Sequence, residues 1–256
     1  MAKAFDDLKN GVVLAELGGH GDGPFCAEHG AGSALVIMGT YIVDAGDSVD
    51  YPGEFVFKPG AENFADYLRQ HVRAAKQSGA RVAVSVATTG LQDTISFLMA
   101  AQDAGADYAS LCVYSTMEMF TSRKLGVELC RAENAGLLRE WCGAIVRALA
   151  IPFIIKMGFE DDTQTMQAIE ILKACGVPIF HVAVPAATTS SGLCTVRKLA
   201  EACPFLIVGG GIKDAAGAQS VCEAGADAVA IAGAAVHDAG ICGAVQRQLQ
   251  AKKSRG

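Results

Sequence analysis

Short apolar runs punctuate the chain at regular intervals, each bounded by glycine and followed by a stretch with helical spacing. They are Val12–Leu17, Ala34–Met38, Val82–Val86, Tyr108–Val113, Phe153–Met157, Ile179–Val184, Phe205–Val208 and Ala228–Ala232. Runs that are apolar at every position, rather than at alternate ones, predict strands buried on both faces, as a parallel sheet requires. Between them, segments such as Glu62–Gln77 and Asn134–Leu149 carry apolar residues three and four apart, the period of amphipathic helices. The near-copies AGADYAS (104–110) and AGADAVA (224–230) each set a helix end and a glycine turn before a strand. Glycine suits that helix end because it tolerates left-handed backbone. Eight such units in 256 residues predict an α/β fold, a single (β/α)8 TIM barrel. A doubly wound open sheet is the alternative, and no early dinucleotide loop supports it.

No linker divides the chain, so residues 1–256 are read as one barrel domain. The longest irregular stretch, 43–59, follows the second strand. Loops of that length in compact domains tend to be functional or disordered, and this one leaves the face where barrels keep their active sites. It is expected to form a lid or one wall of the pocket.

Composition narrows the partners. Apolar residues make up 51% and charged residues 19%, enough for a large core. The 21 basic against 27 acidic residues give a net charge of −6, which argues against nucleic acid as a standing partner. The basic cluster Arg247, Lys252, Lys253 and Arg255 reads as a solvated tail. The start MAKAFDDLKN lacks the hydrophobic region of a signal peptide. The longest apolar run, Ala228–Val236, is far short of the ~20 residues that span a bilayer. A soluble cytoplasmic protein with no membrane partner is therefore expected. The nine cysteines form no C-x-x-C pair and most sit inside apolar runs, so they read as buried thiols rather than metal ligands.

Two features carry candidate chemistry. The run Ile207-Val-Gly-Gly-Gly-Ile212 closes the seventh strand, and Ala232-Gly233-Ala234-Ala235 closes the eighth. Glycines there let backbone N–H groups approach an anion, at the loops where barrels usually hold phosphate. A phosphorylated ligand is expected at Gly209, Gly210, Gly211 and Gly233; a tight turn without ligand is the alternative. Second, Phe153-Ile-Ile-Lys-Met-Gly158 brings the charge of Lys156 to the end of a buried strand, a costly placement unless it meets an anion. Glu16, at the end of the first strand, is a candidate ion-pair partner, general base or substrate-binding group.

The stretch Leu14-Ala-Glu-Leu-Gly-Gly-His-Gly-Asp-Gly-Pro-Phe25 reads as strand, glycine-rich loop and helix, with Pro24 in the first turn and Asp22 as cap. It resembles the opening of tRNA-dihydrouridine synthases, approximately L-A-P-M-x-G-x-T-D-x-P-F-R. Leu14, Ala15, Gly19, Asp22, Pro24 and Phe25 fall on matching positions. His29-Gly-Ala and Met38-Gly-Thr-Tyr-Ile-Val-Asp44 look like an archaeal group related to those synthases and described only as barrel proteins. The likeness runs on through AGADYASLCVYS, IPFIIKMGF and the glycines at 209–211. The resemblance implies an FMN-binding barrel of the dihydrouridine synthase and dihydroorotate dehydrogenase-like kind. Such a barrel passes hydride between flavin and a pyrimidine, with NAD(P)H as reductant. It implies that Lys156 contacts the flavin ring, where a cation would stabilise negative charge on reduced flavin. Ala15, Gly209, Gly210, Gly211, Ala232 and Gly233 fall on cofactor-binding positions.

Other positions depart from the family. Its Cys proton donor, in N-x-G-C-P after the fourth strand, gives way to Leu111-Cys-Val-Tyr-Ser-Thr-Met117, so Tyr114 or Ser115 takes the donor's place. Cys112 lies close by, within the strand. The glutamine of the third strand falls near Ser85. The histidine of the sixth appears as Ala183, with His181 two residues earlier on the same face. The Gly-Arg after strand eight reads Ala232-Gly233, which removes a bidentate phosphate ligand. Glu16 replaces a proline. The family's C-terminal RNA-binding domain has no residues left to form it. These departures point away from dihydrouridine synthesis and from tRNA as partner. They leave an FMN-dependent oxidoreductase acting on a small heterocyclic or unsaturated substrate, with Lys156, Glu16, Tyr114 and His181 as catalytic candidates. A flavin-free phosphate-binding lyase, isomerase or synthase, in cofactor biosynthesis for example, stays open, as do a non-catalytic binding protein and a homo-oligomer. His20, Tyr41 and Asp44 are weaker pocket candidates. No metal is expected.

Overall fold

The apolar runs form eight strands: β1 (Gly11–Leu14), β2 (Leu35–Val43), β3 (Arg81–Thr88), β4 (Tyr108–Cys112), β5 (Phe153–Gly158), β6 (Ile179–Ala183), β7 (Leu206–Gly209) and β8 (Ala228–Ile231). Every neighbouring pair is parallel, and β1 pairs with both β2 and β8, so the sheet closes on itself. A principal helix follows each strand: α1 (Gly23–His29), α2 (Ala65–Ala75), α3 (Leu91–Asp103), α4 (Ala135–Ala148), α5 (Asp162–Ala174), α6 (Ser190–Ala202), α7 (Ala215–Glu223) and α8 (Ile241–Lys253). This is a (β/α)8 barrel. The structure, a computed structural model, describes residues 5–46 and 50–253, without the side chains of 252 and 253. Part of the 43–59 loop, and Arg255 with the side chains of Lys252 and Lys253 in the basic tail, thus lie outside the described residues.

Strand alternation sorts the apolar residues into two layers. Val13, Leu35, Ile37, Ala83, Tyr108, Ile154, Ile179, Ile207 and Ala228 fill the barrel, closed at its N-terminal end by Phe5 and Leu8. Val12, Leu14, Val36, Met38 and Val82 point the other way, against helix residues such as Leu98, Leu138, Leu172 and Val196. Both faces are buried, which is why the runs are apolar throughout.

Two strand boundaries differ from expectation, with consequences for the site. The ladder of β1 stops at Leu14 rather than Leu17. β2 runs on past Met38 to Val43 through a register shift between Met38 and Tyr41, where Gly39 has a φ of +100°. The bulge turns Tyr41 outward. It does not line the pocket but is fully buried beneath Phe55, Phe57, Tyr67 and Phe97. That aromatic cluster seats the return of the 43–59 loop, and Val56–Phe57 adds a two-residue parallel strand beside the end of β2. Tyr51 then reaches back to donate its hydroxyl hydrogen to the Thr40 carbonyl at 2.8 Å.

Helix starts follow side-chain caps. Asp22, Asp161, Thr189 and Asp214 each accept a backbone N–H in the first turn of α1, α5, α6 and α7. The cysteines are free thiols; Cys26, Cys142, Cys203 and Cys242 are buried as expected, but Cys194, on the outer face of α6, is exposed. Among the described residues no helix is long and apolar enough to cross a membrane.

Candidate active site

Inward-facing positions near the C-terminal ends of the strands are polar. β5 turns Lys156 inward along with Ile154, and β6 turns His181 inward with Ile179; the two are register partners. On the other side of Lys156, β4 places Cys112 opposite it, and β3 brings Ser85 beside Ser110. Glu16 arrives differently. Alternation would send it outward with Leu14, but the ladder has ended, and the irregular chain directs its carboxylate into the barrel.

There Glu16 becomes the hub. Its Oε2 lies 3.2 Å from Lys156 Nζ and 3.5 Å from His181 Nδ1. Ser85 Oγ donates to Oε1 at 3.3 Å, and Thr40 Oγ1, brought inward by the β2 bulge, stands 3.4 Å from Ser85 Oγ. The side chains of Glu16 and His181 are 1% and 2% exposed, that of Lys156 13%.

Burial sets the protonation states. Desolvation, the largest single influence, would raise the Glu16 pKa, but the Lys156 ammonium, together with His181 and hydrogen bonds to the carboxylate, more than offsets it and holds the carboxyl below its ordinary value. Desolvation pushes His181 down to about 4, against the pull of Glu16, so the imidazole is neutral at pH 7. Burial raises the Cys112 thiol, which is therefore no ready nucleophile. The floor holds one anion, one cation and a neutral imidazole.

Above this floor opens a pocket of about 680 Å3. Ala15, Lys156, His181 and Ala183 line its deep side, and Tyr114 its rim. Gly209, Gly210, Gly211, Ala232 and Gly233 line the same cavity, with Gly209 beside His181: a Cβ there would lie 3.4 Å from Nε2. Gly210 has a φ of +132°, and a Cβ there would lie 1.8 Å from the Val184 carbonyl oxygen, so only glycine fits. Gly211 and Gly233 face open space. Among the described residues neither Gly210 nor Gly211 donates its N–H to a backbone carbonyl. Asp214, the nearest acidic residue in sequence, is turned away to cap α7 through the Gly217 N–H at 2.8 Å.

Lys213 and His237, both exposed, line the same pocket; Lys213 brings a positive charge and His237 a further hydrogen-bonding group. Sequence reasoning passed over them, although Lys213 adjoins the glycine run and His237 lies one helical turn beyond Gly233.

Of the two residues in the proton donor's place, Tyr114 reaches the pocket. It is 48% exposed, and its ring lies so close over Gly158 that a Cβ there would sit 2.3 Å from Cε2. Ser115 is engaged locally, with Oγ accepting the Met117 N–H at 3.3 Å. Glu16 does not line the pocket itself; it meets the pocket through Lys156 and His181. His20 is exposed in its loop near Phe25. Asp44 accepts from Thr89 Oγ1 at 3.0 Å and from the Gly46 N–H at 2.7 Å, and does not line the pocket.

Among solved structures, the chain is similar to DHODH from Eimeria tenella in complex with ferulenol, with a TM-score of 0.69 over 95% of this chain and 81% of that one, at 13% identity. The likeness is one of fold. Among curated proteins it is similar to the uncharacterized protein MJ0144 of Methanocaldococcus jannaschii, 29% identical over 139 residues, or 52% of this chain. That alignment spans 53% of the relative, about half its length. No family model matches the chain.

Proposed function

We propose that the chain is an FMN-dependent oxidoreductase acting on a small heterocyclic or unsaturated substrate, with NAD(P)H as reductant. The observation that carries this reading is the continuity of the pocket: one cavity joins a glycine cradle flanked by Lys213 and His237 to a floor bearing Lys156 and His181. A phosphorylated ligand with a flat ring would find backbone N–H groups for the phosphate and charged and polar groups for the ring in that one cavity. The residues fit such a group. Gly211 and Gly233 leave open space where a Cβ would stand, and Ala15 and Ala183 keep the floor low. The fold shared with DHODH and the dihydrouridine synthase-like opening motif support the same reading.

FMN, when bound, supplies a two-electron carrier. The chain does the rest. The backbone of Gly210 and Gly211, with Lys213 and His237, holds the phosphate. Lys156 Nζ presents a cation to the ring, kept in place by Glu16. Tyr114 stands at the rim with its hydroxyl available to hand a proton to the substrate, a weak acid in a position where the family uses a thiol.

Titration of the purified protein with FMN and with riboflavin tests this reading. Visible flavin absorbance with FMN bound more tightly than riboflavin is the expected result; a protein that binds neither overturns it. One observation favours a second reading, a flavin-free phosphate-binding lyase, isomerase or synthase: Lys156 already has a carboxylate partner, so the two could serve as acid and base. Phosphorylated carbonyl compounds that bind where FMN does not would select it.

A further inference from the structure

A lone lysine beneath a ring that gains negative charge on reduction favours the reduced form, because the same cation meets a neutral ring before and a charged one after. In this barrel the lysine is not alone. Glu16 Oε2 lies 3.2 Å from Nζ, and the carboxylate has no route to solvent. Ser85 fixes its other oxygen. The remaining groups around it add no charge at neutral pH: His181 is held neutral, the Cys112 thiol is protonated, and the nearby Tyr51 phenol is pushed up to about 12 by burial. What the floor offers a ring is thus a dipole, whose field falls off faster than that of the single charge it replaces.

We propose that Glu16 is a charge-compensating residue that acts through Lys156, cancelling the lysine's net charge so that the site holds its ring ligand in the neutral state and gives little preference to the reduced, negatively charged one. The inference rests on the FMN reading and adds the redox bias of the site. By the same electrostatics, the substrate beside the ring is a neutral heterocycle or alkene rather than an anion.

The test compares wild type, Glu16→Gln and Glu16→Asp, each loaded with FMN, by fluorescence titration and spectroelectrochemical measurement of the two-electron midpoint potential. Glu16→Gln should bind reduced FMN at least tenfold more tightly, relative to oxidised FMN, than wild type does, a shift of about 30 mV to more positive potential. Glu16→Asp, which keeps the charge, should stay close to wild type. An unchanged or more negative potential in Glu16→Gln overturns the inference and leaves the FMN reading standing. So does a Glu16→Asp shift as large as that of Glu16→Gln, since packing rather than charge is then responsible. A wild type that binds no FMN overturns both. Where Glu16→Gln does not fold, Glu16→Leu takes its place and should move the potential positive in the same way; an unchanged or more negative potential there overturns the inference.

Discussion

Lys156 and His181 stand opposite each other across the β5–β6 ladder and converge on one oxygen of Glu16, at 3.2 and 3.5 Å. Two adjacent strands thus present different charge states to one buried carboxylate. The ammonium stabilises the anion. The imidazole, too deeply buried to ionise, does not compete for that role. The order matters for stability as well as for binding, since a carboxylate this deep survives only beside its cation.

Removing that cation should therefore be expensive. Lys156→Met leaves Glu16 buried without a counter-charge and should destabilise the barrel by about 3–5 kcal/mol. Replacing both partners by apolar groups, as in Glu16→Leu/Lys156→Met, should recover most of the loss, because no uncompensated charge then remains. Urea denaturation of the three proteins checks this. A single variant as stable as wild type would mean that the pair is open to water in solution.

Acid should act through the same cluster. His181 has its folded pKa lowered to about 4 from an ordinary value of 6.5, so between these values the unfolded chain binds the extra proton and stability falls as pH falls. The maximal slope for one such group is about 1.4 kcal/mol per pH unit. Glu16, also lowered, contributes stability that is present above its unfolded value of 4.5 and is lost as pH falls through its folded pKa. Thermal midpoints measured from pH 7 to pH 4 should drop progressively. In His181→Asn the drop above pH 4.5 should flatten while the more acidic part remains.

The barrel was legible in the chain because its strands are apolar on both faces, a signal that survives without any knowledge of register. Lys156 and His181 were legible as pocket residues for a related reason: each shares strand parity with an apolar residue that fills the barrel. Tyr41 was misplaced because Met38-Gly39-Thr40 reads as the end of a strand, whereas the chain takes a bulge there and pairs on to Val43. The same bulge brings Thr40 inward, and nothing local announces it. Glu16 was legible as a partner of Lys156 from its place after β1, but not its depth, since the irregular residues after Leu14 have no periodicity to read. Lys213 comes from the loop after β7 and His237 is the last residue of the short helix Gly233–His237 after β8, so their place in one pocket is a property of tertiary structure alone.

The glycine cradle allows a steric and an electrostatic effect to be separated. A Cβ at residue 210 would meet the Val184 carbonyl at 1.8 Å, so Gly210→Ala must displace the turn and should lower stability and ligand affinity together. Gly233 has nothing within 4 Å of where its Cβ would stand and no positive φ. Gly233→Asp therefore puts a negative charge into the cradle with little strain. Its thermal midpoint should stay near wild type, while FMN affinity falls more than tenfold and riboflavin affinity does not change. Equal losses for FMN and riboflavin would place the phosphate elsewhere.

Tyr114 offers a comparable separation at the rim. Its ring occupies the space over Gly158 that any side chain there would need, with Cε2 at 2.3 Å and Cδ2 at 2.6 Å from an added Cβ. The ring is half-exposed, so it can swing into solvent, and β5 gains an ordinary strand residue in place of glycine. Gly158→Ala should accordingly change folding stability by less than about 1 kcal/mol. It should leave FMN affinity intact, because neither the cradle nor Lys156 moves. Turnover should nonetheless fall, since the phenol no longer stands over the pocket. Tyr114→Phe supplies the complement, removing the proton and keeping the ring. If the hydroxyl is the donor, both variants lose kcat to a similar extent. If the ring serves only to stack against the substrate, Tyr114→Phe keeps its kcat while Gly158→Ala raises KM, and the donor must be sought among the remaining pocket residues.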